Sequence, residues 1–498
     1  MYGYNMTDTL RWIPNLTAHA GPRYRAIADA MAADVRSGRL TPGARLPTHR
    51  ALAQDLGVTV GTVTRAYAEA ERRGLLEAAV GRGSFIRDPG PAAAHAWVNP
   101  PADPPSVEPG PGPRGYDLTP PEREPAGLID MSANYPARTF LAGALTPGLA
   151  GLAALAGPDG DPARLTALAG YQPSVGRPEH RAAGARWMAR FGLEADPADV
   201  IPVHGTQGGL TVILSTLVPP GETLLVEDLT WPGVHYIARR HGLRLVPVAG
   251  DGDGLRPDAL AEAARRTGAR AAYLVPTLHN PLNITMPEAR RAALLETARI
   301  EGLTLIEDDI YGFLADTPPR PLAARDPDHA VYVTSLSKCV APALRVGFVK
   351  APPVLVPRIA QAVAADTLMV SPLLLELVAG LIDSGKAAAA AEAQKAEARA
   401  RQVIARRALP LRLPPGAEAS FHVWLRLPEG WRGERFVAEA RARGVLVTPG
   451  STFRVDGSDP GGVRLCLSAV PERADLEAGL AIVARLLDAA PHAAMPVV

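Results

Sequence analysis

Residues 335–348 read SLSKCVAPALRVGF, and the fold of most of the chain turns on how that stretch is understood. The β-branched run AVYVT (330–334) leads into it. Lys338 is therefore expected in a serine-rich turn after a strand, with Arg345 seven residues further on. A lone lysine is ordinarily a solvated charge. Here the neighbours suit an aldehyde cofactor carrying a phosphate. The Lys338 amine would form a Schiff base with the aldehyde. Ser335, Ser337 and the forked guanidinium of Arg345 would bind the phosphate.

Four further motifs supply the other contacts such a cofactor needs. HGTQGGL (204–210) follows the strand-like DVIPV and opens a helical pattern, so Gly205, Thr206 and Gln207 offer free amides at a helix N-terminus, where anions bind. EDLTWPG (227–233) puts Trp231 at a strand end, either stacked on a flat ring or packed in the core. PTLHNPLN (276–283) offers Asn280 to a ring hydroxyl. LIEDDIYGFL (305–314) offers Asp308 to a ring nitrogen and Tyr311 to the ring oxygen. An acid beside a pyridine nitrogen keeps it protonated and makes the ring an electron sink, although twin acids after a strand also cap helices. GVRLCLS (462–468) places Arg464 on a strand, as a rim charge or as a bidentate clamp for a substrate carboxylate. The order of the five motifs favours pyridoxal 5′-phosphate on Lys338, with Lys338, Asp308 and Tyr311 as catalytic candidates. Cys339, beside the lysine, is expected to be a small packed side chain. No metal site is expected.

Around these motifs β-branched runs (TLLVEDL, RLVPV, RAAYLVP, TLIEDD, RVGFVK) alternate with helical stretches rich in Ala and Arg. Such alternation indicates an α/β fold with a mainly parallel sheet. FHVWLRL, GVLVTPG and GVRLCLS suggest a smaller α/β subdomain at about 390–488, joined through the helix-forming AAAAAEAQKAEARARQVIARRAL. With YQPSVGRPEHRAA (171–183), residues 128–488 resemble the fold-type I aminotransferases. The resemblance implies a large domain with a seven-stranded, mostly parallel sheet, a small C-terminal domain, and an active site completed across a homodimer. Two departures stand out. Trp231 stands where relatives more often carry Tyr, and NYPA (134–137) where many have a Gly-Asn-Pro or Gly-x-Pro turn near the substrate.

The N-terminal end is of another kind. At 498 residues the chain exceeds what one core usually serves, and 47% apolar with 21% charged residues is an ordinary globular balance. A net charge of +1 excludes a polyelectrolyte, so any nucleic-acid surface must be local. Residues 21–87 hold eleven arginines, no lysine and six acids, a net of +5. PRYRAIADAMAADVRSG is amphipathic, with Ile27, Met31 and Val35 on one stripe and Gly38 at its stop. After a turn set by Pro42 and Pro47, Thr48 can cap HRALAQDLG, and Gly57 allows a sharp turn to VGTVTRAYAEAERRG, capped by Thr59. LLEAAVGRGSFIR reads as a hairpin with Arg82 at its tip. An arginine-bearing amphipathic helix is often only a solvated face; the ordered set of turn, helix, turn, helix and basic wing argues otherwise. The stretch LTPGARLPTHRALAQDLGVTVGTVTRAYAEAERRGLLEAAVGRGSFI resembles the winged helix-turn-helix of the GntR family. By that resemblance Arg50, Thr59, Thr62, Thr64, Arg65, Arg82 and Gly83 would contact DNA. Val60 stands where the family often has Arg, as does Thr64; Val60 could instead meet a thymine methyl.

Between the two, residues 88–127 are proline-rich and expected to be an extended spacer, or else a loop folded on one domain. Reader, spacer and aminotransferase-like body together resemble the MocR subfamily of regulators. That implies a homodimeric factor that binds double-stranded operator DNA and senses pyridoxal phosphate, or an amino acid or amine that takes the lysine's place on it. Two alternatives stay open: a working aminotransferase with an accessory DNA-binding domain, and a scaffold with a dead pocket. Two cysteines make no disulfide framework, the N-terminus lacks a signal-peptide pattern, and no run spans a bilayer, so a cytoplasmic protein is expected. Translation could begin at Met1 or Met6.

Overall fold

Gly57 takes the left-handed conformation (φ 61°) that stops one short helix and lets the next begin three residues later. The computed structural model describes residues 12–16, 22–36, 39–41, 43–72, 75–79, 83–86, 127–409 and 417–489. The chain divides into two compact units, Met1–Val107 and Glu108–Val498, with the division inside the proline-rich stretch. Gly38, Pro42, the hairpin tip with Arg82, and residues 88–126 lie outside the described residues.

The first unit contains α1 (Arg23–Arg36), α2 (His49–Leu56), α3 (Val60–Arg72) and an antiparallel hairpin of β1 (Leu76–Ala79) and β2 (Gly83–Ile86). Ile27 and Met31 are buried on one stripe of α1, against Leu52, Val63, Ala66 and Tyr67. Both expected caps are made: the Thr48 hydroxyl accepts from the Ala51 amide (3.3 Å) and that of Thr59 from the Thr62 amide (3.2 Å). Trp12, which no motif announced, also belongs to this core. It is 3% exposed, and its indole nitrogen donates to Asp34 at 2.8 Å.

The second unit opens with β3 (Ile129–Asp130). Then come β4 (Val200–Val203), β5 (Thr223–Glu227), β6 (Arg244–Val248), a small hairpin of β7 (Gly250–Asp251) and β8 (Gly254–Leu255), β9 (Ala271–Leu274), β10 (Thr304–Asp308), β11 (Ala330–Ser335) and β12 (Gly347–Lys350). Seven of them form one sheet in the order β4-β12-β11-β10-β9-β5-β6, and only β12 runs antiparallel to its neighbours. Side chains alternate between two cores on its faces: Leu225 and Tyr332 on one side, Leu224, Val226, Val331 and Val333 on the other. A Cβ on Gly347 would sit 2.7 Å from the Thr334 carbonyl oxygen and 3.0 Å from the Gly205 backbone. Glycine there lets β12 lie against the start of the helix Gly205–Leu217.

β13 (His422–Arg426), β14 (Val445–Leu446), β15 (Thr448–Pro449) and β16 (Gly462–Cys466) build the small layer. β13, β16 and β15 form an antiparallel sheet, while β14 pairs in parallel with β3. Met131 sits in this layer's core with Val423, Leu465 and Leu480. The small layer therefore takes its first pieces from residues 129–131, far ahead of position 390. The helix Lys386–Ala408 serves both cores, giving Ala391 and Ala398 to the large one and Ala405 to the small one.

The loop after β9 is pinned by a buried cation. Arg291, fully buried, donates to the Pro276 carbonyl (2.9 Å), the Thr277 hydroxyl (2.7 Å), the Met286 carbonyl (3.1 Å) and Glu307 (2.9 Å). Glu307 in turn accepts from the Leu322 amide (2.7 Å). Removing one partner of such a pair strands the other. Arg291→Met is expected to destabilise the body by about 3–5 kcal/mol in denaturant unfolding. A change below about 1 kcal/mol would show that the pair does not hold this loop.

Candidate functional site

In an open α/β sheet, the loops that leave the carboxyl ends of the parallel strands share one edge. Gly205 follows β4, Trp231 follows β5, Asn280 follows β9, Asp308 ends β10, and Lys338 follows β11. These five positions, spread over some 130 residues of sequence, are thereby delivered to the same edge, with Arg464 arriving from β16.

The Lys338 amine donates to the main-chain oxygen of Asn134 and lies 5.8 Å from the ring centre of Tyr135. Burial pushes its pKa down to about 8. Arg464 and Arg345 nearby add to the effect, and Cys466 and Asp308 oppose it. An amine with that pKa is partly neutral at neutral pH, hence nucleophilic. One oxygen of Asp308 accepts from the Tyr273 hydroxyl (2.9 Å), while Oδ1, also buried, has no partner among the described residues. Burial pushes this carboxyl up to about 7, against the hydrogen bond from Tyr273. Its neighbour Asp309 is turned elsewhere, accepting from the Tyr332 hydroxyl at 2.7 Å. Tyr311 is buried, and its hydroxyl accepts from the Asn134 amide nitrogen at 2.8 Å.

Arg464 has no exposed surface. It donates to Asn280 Oδ1 (3.0 Å), the Ser132 carbonyl (2.7 Å) and the Thr448 hydroxyl (3.4 Å), with the Phe453 ring 4.9 Å away. At the start of the helix Gly205–Leu217, a Cβ on Gly205 would stand 3.1–3.2 Å from the Arg345 guanidinium, which donates to the His204 carbonyl at 3.4 Å. Ser335, paired with Gly347 across β11 and β12, accepts from the Ser337 amide (3.4 Å). The hydroxyls of Ser337 and Thr206 are buried with no partner among the described residues. Open hydroxyls beside a guanidinium at a helix N-terminus fit a phosphate. The open oxygen of Asp308 fits a protonated ring nitrogen. The residues present thus fit pyridoxal phosphate. Gln207 is exposed and Trp231 half-buried, and neither makes a side-chain hydrogen bond among the described residues.

Several residues here carried no motif. Asn134 and Tyr135 belong to NYPA, noticed only as a departure. His422 is buried on β13, its ring 6.1 Å from that of Tyr311 and its Nδ1 3.3 Å from the Asn134 amide nitrogen. Burial, reinforced by Arg464, holds its pKa well below the ordinary histidine value. Cys466 lies opposite His422 in the register, and Arg464 opposite Trp424. Strand alternation was the available signal: Val423 and Leu425 enter the small core, so His422 and Trp424 face the other way.

In the first unit Arg50, Thr59, Val60, Thr64, Arg65 and Gly83 are exposed and Thr62 is half-buried. Val60 is 43% exposed, an apolar side chain presented at the first turn of α3. The threonine hydroxyls already have partners: Thr59 with Thr62 (2.9 Å), and Thr64 with the Val60 carbonyl (3.0 Å). Contacts they make to DNA would share those oxygens. Gly83 adopts φ 110°, and a Cβ there would meet Arg45 at 3.2 Å.

Residues 154–483 match the model for aminotransferase class I and II, and residues 23–86 that for bacterial regulatory proteins of the gntR family. The chain is similar to the uncharacterised HTH-type transcriptional regulator YdeF of Bacillus subtilis, with 28% identity over 96% of this chain and 97% of that one. It is also similar to the probable rhizopine catabolism regulatory protein MocR of Rhizobium meliloti, with 28% identity over 67% and 66%. Among solved structures, LysN of Thermus thermophilus is an α-aminoadipate aminotransferase complexed with N-(5′-phosphopyridoxyl)-L-leucine. It matches with a TM-score of 0.64 and 25% identity over 73% of this chain and 92% of that one. Among the described residues no helix is long and apolar enough to cross a membrane.

The raised pKa of Asp308 has a signed consequence. The folded value of about 7 lies above the ordinary carboxylate value of about 4. The cofactor-free fold therefore loses stability from this group as pH rises from about 4 to about 7. Asp308→Asn is expected to stabilise the cofactor-free protein by at least about 1 kcal/mol at pH 8 and to leave it unchanged at pH 4. The same variant should retain pyridoxal phosphate about tenfold or more less well, having lost a charge-assisted bond. Equal retention by variant and parent would remove Asp308 from the site.

Proposed function

The chain belongs to the class I and II aminotransferase family and carries a gntR-family domain at its N-terminus, and on that premise we propose that it is a pyridoxal phosphate-binding transcriptional regulator of the MocR type. Residues 21–87 bind an operator, 88–127 are the spacer, and 128–488 hold the cofactor. Bound there, pyridoxal phosphate supplies an aldehyde that condenses with amines and a ring that draws electron density from them. Lys338 provides the partly neutral amine and Asp308 the counter-charge at the ring nitrogen. Ser335, Ser337, Thr206, Arg345 and the amides from Gly205 hold the phosphate. Asn280 and Trp231 address the ring, Tyr311 is steadied by Asn134, and Arg464 receives a carboxylate. Arg50, Thr59, Val60, Thr62, Thr64, Arg65, Arg82 and Gly83 face DNA. The observation that carries this reading is a half-buried lysine amine with a lowered pKa beside open buried hydroxyls and a guanidinium, in one chain with a helix-turn-helix.

The effector is an amino acid or amine, and the working form is a cytoplasmic homodimer. Tyr171, 85% exposed in the single chain, is available to a second copy. Two readers related by a two-fold axis would suit a palindromic operator. A second reading, a working transaminase, is favoured by the fact that Lys338, Asp308, Tyr311 and Arg464 are all in place.

Gel shifts of the full chain on the DNA upstream of its own coding region, with and without pyridoxal phosphate and a panel of amino acids, test the proposal. Parallel absorbance should show a bound chromophore, trapped by borohydride and lost in Lys338→Ala. DNA affinity is expected to change about fivefold or more with ligand. An affinity indifferent to cofactor and to every amino acid would end the sensing model. Steady turnover with a keto acid and no effect on DNA would establish the transaminase instead.

A further inference from the structure

We propose that His49 is a DNA-contacting residue of the reader, meeting a backbone phosphate as a cation, so that DNA binding takes up protons and weakens as pH rises; the inference rests on the function proposed above. His49 opens α2, and its ring stands edge-on to that of Tyr67, with centroids 4.7 Å apart. Tyr67 is itself fixed, its hydroxyl donating to the Pro47 carbonyl at 2.8 Å. The Nδ1 atom of His49 lies 3.3 Å from the Thr64 hydroxyl on α3. That hydroxyl has one proton, and it goes to the Val60 carbonyl at 3.0 Å. Towards His49 the Thr64 oxygen can only accept, so Nδ1 carries the hydrogen. The opposite nitrogen, Nε2, makes no hydrogen bond among the described residues and is not enclosed. Thr64 is exposed beside Val60 and Arg65 on the outer surface of α3. In a docked helix-turn-helix, the helix ahead of the recognition helix crosses the DNA backbone. α2 is that helix, so the group that Nε2 meets is a phosphate.

Histidine changes charge between about pH 5 and pH 8. The charged side chains on the elements around His49 are Arg45 on the turn before α2, Arg50 and Asp55 on α2, and Arg65, Glu69 and Glu71 on α3. The three acids lie more than a turn from the contact between His49 and Thr64, and no acid among the described residues pairs with the ring. Burial holds the Tyr67 phenol above its ordinary pKa, so it stays neutral. DNA is therefore what brings a negative charge to Nε2. An anion beside an imidazole favours its charged form, and a proton moves from buffer to Nε2 as the complex forms. The added affinity is complete at the acid end of the histidine range and is lost towards its alkaline end. Each unit by which the complex holds that proton more tightly is tenfold in affinity per reader. His49 thus sets a cation beside Thr64, where the family often carries a permanent one, and makes it conditional on pH.

The closing experiment uses the full chain at fixed ionic strength with two duplexes, the DNA upstream of its own coding region and one of arbitrary sequence, since a phosphate contact is not bound to sequence. Fluorescence anisotropy from pH 6 to pH 8 gives affinity, and calorimetry in buffers of different ionisation heat counts the protons taken up. The parent is expected to lose affinity about fivefold or more over that range and to take up protons. His49→Gln should bind at pH 6 as weakly as the parent does at pH 8. His49→Arg, a permanent cation, should bind at pH 8 as tightly as the parent does at pH 6, which separates a lost charge from a damaged fold. At pH 6 the slope of log affinity against log salt should be steeper in the parent than in His49→Gln by about 0.9 per reader engaged, and equal at pH 8. Lys338 and Asp308 in the body titrate in the same range, but they do so in parent and variant alike. The difference between the two pH curves therefore belongs to His49. The inference is overturned if those curves run parallel, if the salt slopes agree at pH 6, or if His49→Arg is as weak at pH 8 as His49→Gln. No binding by the parent to either duplex at any pH would instead refute the reading of residues 21–87 as a reader.

Discussion

Burying an amine costs free energy unless its protons are accepted or one of them is given up, and Lys338 does some of both. It donates to a main-chain carbonyl, and with a pKa near 8 it is readily neutralised. Most of the local architecture serves to hold that nitrogen partly out of water without filling the space around it. β11 delivers it, Gly347 lets β12 close against the helix Gly205–Leu217, and the segment after β3 lies over it from the small layer. The dependence runs in both directions. The small layer's first strand is held near the large sheet partly because Lys338 and Tyr311 both bond to Asn134, which follows it.

The buried charges of the body divide by how completely they are satisfied. Arg291 and Glu307 use their hydrogen-bonding capacity on one another and on loop backbone, so they fix position and offer nothing to a ligand. Asp309 gives one oxygen to Tyr332 and keeps its buried Oδ1 without a partner among the described residues. Asp308, the last residue of β10, likewise keeps an oxygen open, and Thr206 and Ser337 keep open hydroxyls. Open buried polar atoms are costly in a cofactor-free protein and become favourable once a ligand meets them. The gathering of such atoms around Lys338 and Arg345, more than the count of charges, marks the site.

Much of this was legible in the sequence because the motifs are local. A strand followed by Ser-Leu-Ser-Lys, or by Glu-Asp-Asp, positions its own functional residue at a strand end, and alternating runs announce a parallel sheet. The reader was legible for the same reason, since Thr48, Gly57 and Thr59 act within a few residues of themselves. What escaped depends on long-range pairing. Nothing near Asn134 indicates that it meets Tyr311, 177 positions away, or that Met131 completes a core otherwise built after residue 400. Trp12 escaped likewise, its partner Asp34 lying a helix away. His422 was within reach of the period-two rule but looked like one more residue of an apolar strand.

The joining of a neutral body to a small basic reader also has a physical logic. A domain of net charge +5 gains only a modest, salt-sensitive hold on DNA, since that part of the affinity scales with the phosphates neutralised. A second reader on the same operator multiplies the hold through effective concentration, but only while the distance between the two readers matches the site. In a dimer of this chain, affinity would therefore depend steeply on the path of the spacer and weakly on any single base contact. A steep dependence of that kind is what a small displacement at a cofactor pocket needs in order to be felt. It also removes the need for strong individual readers, in keeping with Val60 and Thr64 where relatives often place arginine. On this view weak base contacts are not a defect of the reader. They leave the geometry set by the body in control.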